Sequence, residues 1–472
     1  MENDSRGKQL AKNTAILTVG KICTQCVSFF LLPLYTTLLE PSEYGIVDVI
    51  STYAAFLLPL CNWQMDMGLF RFMLDVRNEK NQQQKMVSTV LNVNHIQTVI
   101  FCLLFAFLQF FFHSQYKIFL ALEVVLNLYS ATLMQIARGI GRTDIYSVSS
   151  FLSASLSVIF NVLFIAILRL GALGMFYGLI LGKIFTNVYL VVAIRIWKYY
   201  RIRTFDKVFL KEVAGYSLPL VPNQIAWWVV GASDRIVVTN VLGVAQNGIY
   251  SIANKFPSMY ITFYNVFNLA WTESCAVHIN DKDRDQYLSS VITTMFSVFA
   301  AVCTGIMAIM PFVFPVLINE KYDEAYVQIP ILLAAVFCQS VVGLVSVVYT
   351  AKKMSSILAK TSFWIAAINL ITNLILIRLI GLYAASVSTL LAYAVMMVYR
   401  CFDVQKYVKI VIPRRKIFRS FVLICFVAVT YYMAETALQI LALMITIIYS
   451  TIDNRELLIE FWGNTVRKIK KK

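Results

Sequence analysis

The sequence predicts an all-α integral membrane protein with about fourteen transmembrane helices: two parallel-repeat six-helix lobes around a central cavity, plus two C-terminal helices. Three observations carry that prediction. The composition is 59% hydrophobic and only 14% charged, with a mean hydropathy of +0.71, whereas a soluble domain carries roughly 25% charged residues. Apolar runs of about 20 residues, enough to cross a bilayer ~30 Å thick, recur from end to end. Basic residues cluster in alternate loops, as in a chain that crosses repeatedly with a fixed orientation.

The spans read in order as 10–35, 44–67, 86–111, 118–137, 145–168, 173–195, 213–240, 247–277, 288–317, 327–350, 358–379, 382–401, 421–433 and 436–450. The last two are short and closely joined. The opening "MENDSRGKQLAKNTAIL" is polar and then enters a full-length span, unlike a cleavable signal peptide. Loops are short nearly everywhere, so no extramembrane domain is expected. The longest polar insert, "RIWKYYRIRTFDKVFLKE" from Arg195, divides the chain. The expected domains are an N-lobe at 1–196, a cytoplasmic linker at 197–212, a C-lobe at 213–404, and helices 13 and 14 with a basic tail at 405–472.

The formal charge of +16 would suit a nucleic-acid binder, but its placement argues otherwise. Arg71, Arg77, Lys80 and Lys85 share one loop, and Arg138 and Arg142 the next but one. The series continues through Arg195–Lys211, Lys282 and Arg284, Lys352 and Lys353, Arg400–Arg419 and the tail "VRKIKKK". The intervening loops are nearly free of basic residues, and "LLEPSEYG" and "INEKYDEA" lean acidic. A topology signal explains these charges without nucleic acid. It implies a multi-pass protein of the cell inner (cytoplasmic) membrane with both termini cytoplasmic. The nine cysteines include "CTQC" at Cys23 and Cys26, but no second pair follows, so packing is the better reading.

The two halves resemble each other. "LLEPSEYGIVDVISTY" after the first span matches "VLGVAQNGIYSIANKF" after the seventh, aligning Gly45-Ile46 with Gly248-Ile249. "NVLFIAILRLGALG" from Asn161 is echoed by "NLILIRLIGLYAAS" from Asn373. An offset of six spans preserves orientation, which makes this a parallel repeat, and such transporters bind substrate near the membrane midplane.

One further stretch carries a family resemblance. "YSLPLVPNQIAWWVVGASDRIVVTNVLGVAQNGIYSIANKF" from Tyr216 resembles the seventh-to-eighth-helix signature of bacterial polysaccharide flippases. The N-terminal "NTAILTVGKICTQCVSFFLLPLYTTLLEPSEYGIVDVISTYAAFLLPL" is similar to that family's opening. These Wzx-like proteins share a superfamily with lipid II flippases and with multidrug and toxic compound extruders. The resemblance implies alternating-access export of an undecaprenyl-diphosphate-linked oligosaccharide for O-antigen, capsule or related polysaccharide. It implies no cofactor, with a proton or sodium gradient or membrane potential as the driving force. Its implied partners are the lipid-linked substrate, membrane lipids, a polysaccharide polymerase and a chain-length regulator.

The intramembrane charges speak on their own. Lys21, Lys183, Arg235, Lys255 and Lys360 stand against Asp48, Glu123, Asp234 and Glu273. At ~1.5 Å per residue, Arg235 and Lys255 lie roughly 10–14 Å deep and Lys183 near the middle. An ionisable group at such depth is costly and marks a functional pathway. Cations at several depths suit a travelling diphosphate. Polar stripes, with Gln25 on the first span and Asn247, Ser251, Asn254, Ser258, Thr262 and Asn265 on the eighth, favour a wet lumen. For their Ser and Thr members, helix–helix hydrogen bonding is the preferred alternative. Tyr250, Tyr260 and Tyr264 offer faces on which sugars can stack.

The expected substrate-binding residues are therefore Lys21, Lys183, Arg235, Lys255, Asn254, Tyr250 and Gln25, with Asp48 and Asp234 as charge-balancing or coupling groups. Asp234 and Arg235 point about 100° apart on a helix and cannot pair. The expected arrangement has Asp234 balancing Lys255 and Arg235 left for substrate; a structural Asp–Lys or Asp–Arg clamp is the alternative. A membrane polymerase or glycosyltransferase would need an acid–base constellation that the scattered His95, His113 and His278 do not supply. A drug-cation extruder would want a net acidic lumen, and cations outnumber acids here. A lipid II flippase stays open, since its substrate is also a polyprenyl diphosphate sugar.

Overall fold

The computed structural model describes Phe29 and residues 31–77, 79–111, 115–352, 354–455 and 459. Among them only helices and turns occur. The chain divides into two compact units, Met1–Gly248 and Ile249–Lys472.

The first unit runs α1 (Leu32–Leu38), α2 (Pro41–Asn62), α3 (Met65–Met73), α4 (Lys80–Leu108), α5 (Lys117–Gly139), α6 (Thr143–Asn161), α7 (Gly171–Ile194), α8 (Lys207–Ser217) and α9 (Leu220–Leu242). The α2 start is written in its sequence. Pro41 fits the first turn, where an N–H has no partner to lose, and Glu40 and Glu43 form a reciprocal capping box. Glu43 Oε1 also accepts from the Ala172 N–H at 3.2 Å, so one carboxylate serves the starts of α2 and α7. Trp63 and Gln64 then adopt left-handed backbone and break the run that the sequence extends to residue 67.

α6 and α7 pack closely because α7 carries small residues in a row. A Cβ at Gly174, Gly178 or Gly182 would run into Phe164, Asn161 or Ser157 of the α6 segment. Such glycine spacing lets membrane helices approach where the hydrophobic effect offers no drive between them. Past Asn161, α6 continues as a π-helix over Val162–Ile167.

α10 (Val244–Ala253) leads into the second unit, which holds α11 (Lys255–His278), α12 (Arg284–Leu317), α13 (Ile329–Ala351), α14 (Ser355–Ile380), α15 (Tyr383–Asp403), α16 (Arg414–Met433) and α17 (Thr436–Asp453). α10 stops at Ala253, four residues before Pro257, whose ring lacks the N–H that would bond back to the Ala253 carbonyl in a continuous helix. α13 is the buried centre, flanked by α11, α12, α14 and α15, while α16 and α17 pack on α12. Trp271 Nε1 donates to the Leu344 carbonyl at 3.0 Å, and the Tyr264 hydroxyl rests on Gly343.

Eleven helices are long and apolar enough to cross a membrane, or twelve if the pair Lys207–Ala226 and Gly231–Leu242, bent by 52°, is one span. The fourteen expected spans divide accordingly. Eleven are those helices and the seventh is the bent pair. The eighth appears as α10 and α11, which are not among the eleven. The first lies largely outside the described residues.

Candidate functional site

The site is built on α2, where Asp48, Ser51 and Thr52 collect partners from other helices. Arg235 Nη1 of α9 donates to Asp48 Oδ1 at 3.1 Å. Asn247 Nδ2 donates to Asp48 Oδ2 and to the Gly45 carbonyl, each at 3.2 Å. Trp228 Nε1 donates to the Thr52 carbonyl at 3.1 Å, and its ring packs 4.6 Å from Phe56. Asn247 is fully buried, Asp48 retains 14% of its side-chain exposure, and Arg235 retains 29%. Both carboxylate oxygens are engaged, while the guanidinium keeps an open side.

This corrects one expectation. Arg235 is not left unpaired for substrate; its acid is Asp48, 187 positions earlier in the chain. The contact is an Asp–Arg pair between two helices, with an acid that the sequence does not assign to Arg235. Asp234 is buried and, about 100° around the helix, does not share Arg235's face.

Lys183 of α7 is half-buried and interacts electrostatically with Glu123 of α5. Glu123 in turn accepts from Ser51 Oγ at 3.2 Å. The excess of cations expected from the sequence is thus softened in the first unit, since Lys183 and Arg235 each have a carboxylate assigned to them. Helix spacing cannot reveal such pairs, because both join segments far apart in sequence.

In the second unit Lys255 opens α11 and is half-buried, and Asn254 Nδ2 bonds back to the Tyr250 carbonyl at 2.9 Å. Ser258 and Asn265 are exposed and Thr262 partly so, which leaves one polar strip of α11 accessible. Tyr250, Tyr260 and Tyr264 are buried, so none presents a stacking face to sugar in this structure. Tyr260 bonds to Ser340 Oγ at 2.8 Å and packs on Phe299, as a core residue does. Lys21 and Gln25 lie outside the described residues.

Arg400 is a residue that the sequence placed among loop cations. It is 4% exposed inside α15 and donates to Thr361 Oγ1 at 2.6 Å and to Ser346 Oγ. One turn on, Asp403 accepts from Tyr349 Oη at 2.8 Å and from Lys406 Nζ at 2.7 Å. The available signal was its position within the apolar run "YAVMMVYRCF".

The chain is similar in fold and in family to known membrane proteins. The fold is similar to an inward-facing multidrug resistance MATE family transporter of the MOP superfamily, at 14% identity and a TM-score of 0.66, covering 81% of this chain and 95% of that one. It is similar to the lipid II flippase MurJ in an inward closed conformation, at 17% identity and a TM-score of 0.64, covering 94% and 99%. A MOP superfamily transporter from Pyrococcus furiosus, described as having a binding pocket of reverse polarity, matches at 13% identity and a TM-score of 0.56, covering 84% and 96%. No curated protein sequence matches the chain. At these identities the structures show the fold, that of MOP-superfamily transporters. The family model described as "Polysaccharide biosynthesis protein" matches residues 10–272, more than half of the sequence, and the chain belongs to that family of multi-pass membrane proteins.

Proposed function

We propose that this protein is a flippase that moves an undecaprenyl-diphosphate-linked oligosaccharide across the cytoplasmic membrane by alternating access. Membership of the polysaccharide biosynthesis family supports the substrate class, and the cations held at membrane depth support an anionic cargo. The observation that carries the reading furthest is the Asp48–Arg235 pair, closed on one side and open on the other.

A partly exposed guanidinium held by a carboxylate is a stored anion site. A diphosphate offers the same two-pronged acceptor geometry with more charge, so it competes with Asp48 for Arg235. Substrate binding then releases Asp48 from one of its donors and changes the tie between α2 and α9. The displaced carboxylate is a ready acceptor for a proton or sodium ion, which links translocation to a gradient. Lys183 with Glu123 repeats the same exchange elsewhere in the first unit.

The reading is tested in proteoliposomes loaded with a fluorescent polyprenyl-diphosphate oligosaccharide. Protein-dependent movement of the sugar between leaflets, absent with Arg235→Ala, is the expected result. Transport of cationic dyes without movement of the lipid-linked sugar would replace it with a drug exporter. Movement confined to a lipid II analogue would assign the chain to that substrate instead.

A further inference from the structure

A cavity of about 670 Å³ lies in the first unit where α6 begins and α7 ends, lined by Arg142, Arg195, Lys198, Tyr189, Tyr199 and Val192 among others. It shares no residue with the Asp48–Arg235 cluster. Arg142 is held bidentately by Asp144, at 2.9 and 2.7 Å. Among the described residues, Arg195 and Lys198 form no side-chain ion pair. Three cations and one paired acid leave the cavity with uncompensated positive charge.

The basic segment is fixed in place. Gln84, Ser88 and Asn92 of α4 bond to the main chain of Lys198, Tyr199, Arg201, Ile202 and Thr204, and Tyr200 Oη donates to Asn92 Oδ1 at 2.9 Å. Arg195 caps α7 in left-handed backbone (φ 57°), where glycine would be the easier residue. The insert after the sixth span is a strapped rim rather than a loose linker. Trp197, 54% exposed between the two cations, has the amphipathic ring that settles at headgroup level. Next to the cavity, Val148 and Phe151 of α6 and Val188 and Val192 of α7 turn apolar side chains outward.

We propose that this cavity holds the phosphate headgroup of an anionic phospholipid, with its acyl chains lying along the outward apolar faces of α6 and α7. Charge complementarity selects the headgroup, the aromatic rim sets its depth, and the apolar faces accept the tails. The site stands apart from the transport reading and does not depend on which lipid-linked sugar is moved.

The test is native mass spectrometry of the full-length protein released from detergent after incubation with phosphatidylglycerol or phosphatidylcholine. The wild type should retain phosphatidylglycerol preferentially, and Arg195→Gln with Lys198→Gln should weaken that preference about tenfold or more, since each basic group near an anionic headgroup contributes several-fold. Should the double variant not accumulate, Lys198→Gln on its exposed side chain should still lower it about fivefold. Equal retention of both lipids by the wild type would overturn the proposal. So would an equal loss in Lys282→Gln with Lys409→Gln, which removes exposed charge elsewhere. Preferential displacement of phosphatidylglycerol by undecaprenyl phosphate would give the cavity to the transport substrate and overturn the phospholipid assignment.

Discussion

Gly45 and Gly248, matching positions of the two repeat motifs "SEYGI" and "AQNGI", lie backbone against backbone within the first unit. A Cβ on Gly45 would overlap the Val244 carbonyl oxygen and come within 2.9 Å of the Gly248 nitrogen. A Cβ on Gly248 would overlap the Pro41 carbonyl oxygen and come within 3.1 Å of the Gly45 nitrogen. Asn247 beside them donates to the Gly45 carbonyl. The two similar sequence motifs are thus in contact, and their glycines stand where main chain meets main chain.

Gly45→Ala and Gly248→Ala should each destabilise the protein by about 1–3 kcal/mol, because a methyl forced against fixed backbone shifts the helices apart. Thermal unfolding in detergent checks this, with Gly305→Ala as the control, since a Cβ there meets nothing within 4 Å. A Gly248→Ala variant that melts with the wild type would mean that α2 and the Gly248 segment do not approach this closely in solution.

The all-α membrane fold was legible because bilayer thickness imposes one length on every span. α2 starts at Pro41, three residues before the expected span at Tyr44, because Pro41 and the Glu40–Glu43 capping box begin the helix ahead of its apolar run. Depth along a helix was also readable, and it marks Lys183, Arg235 and Lys255. Partner choice was not. Arg235 meets Asp48, and Glu123 comes near Lys183, through helix packing that periodicity within one span cannot encode. Tyr260 and Tyr264 fell to core packing because an amphipathic ring reads alike in a lumen and in a helix interface. Arg400 escaped notice because a cation one turn from a helix end looks like a snorkelling residue until its neighbours close over it.

The Glu123–Lys183 relationship makes an asymmetric prediction. Lys183→Gln leaves a carboxylate that Ser51 still holds, whereas Glu123→Gln leaves a membrane-depth ammonium without its acid. Glu123→Gln should therefore reduce abundance and thermal stability more than Lys183→Gln, and the double variant should recover part of the loss. Melting curves of the three proteins decide it; strictly additive effects would mean that the two groups do not sense each other.

Orientation is expected to follow the basic loops, with both termini and the segment around Lys207 cytoplasmic. In a background lacking the nine native cysteines, single cysteines at Ser42 and Glu320 should react with an impermeant thiol reagent added outside intact cells, and one at Lys207 should not. All three positions are exposed, so burial does not confound the labelling. The reverse pattern would invert the topology and with it the direction of transport.

The Asp48–Arg235 pair separates a substrate site from a structural clamp. If the guanidinium serves the diphosphate, Arg235→Ala should abolish export while protein abundance stays near normal. Arg235→Lys should restore it only in part, because an ammonium keeps the charge but not the two-pronged geometry. Asp48→Asn should bind lipid-linked substrate more tightly yet turn over more slowly, since Arg235 would no longer be returned to its resting partner. The double variant Asp48→Asn with Arg235→Gln should be stable but inactive. A purely structural clamp predicts another order: Arg235→Ala and Asp48→Asn each lose about 3 kcal/mol of stability, the double variant regains most of it, and export follows folded protein throughout. Measuring melting temperature, substrate affinity and export on the same four proteins distinguishes the two, because only a substrate site moves affinity in opposite directions for Asp48 and Arg235.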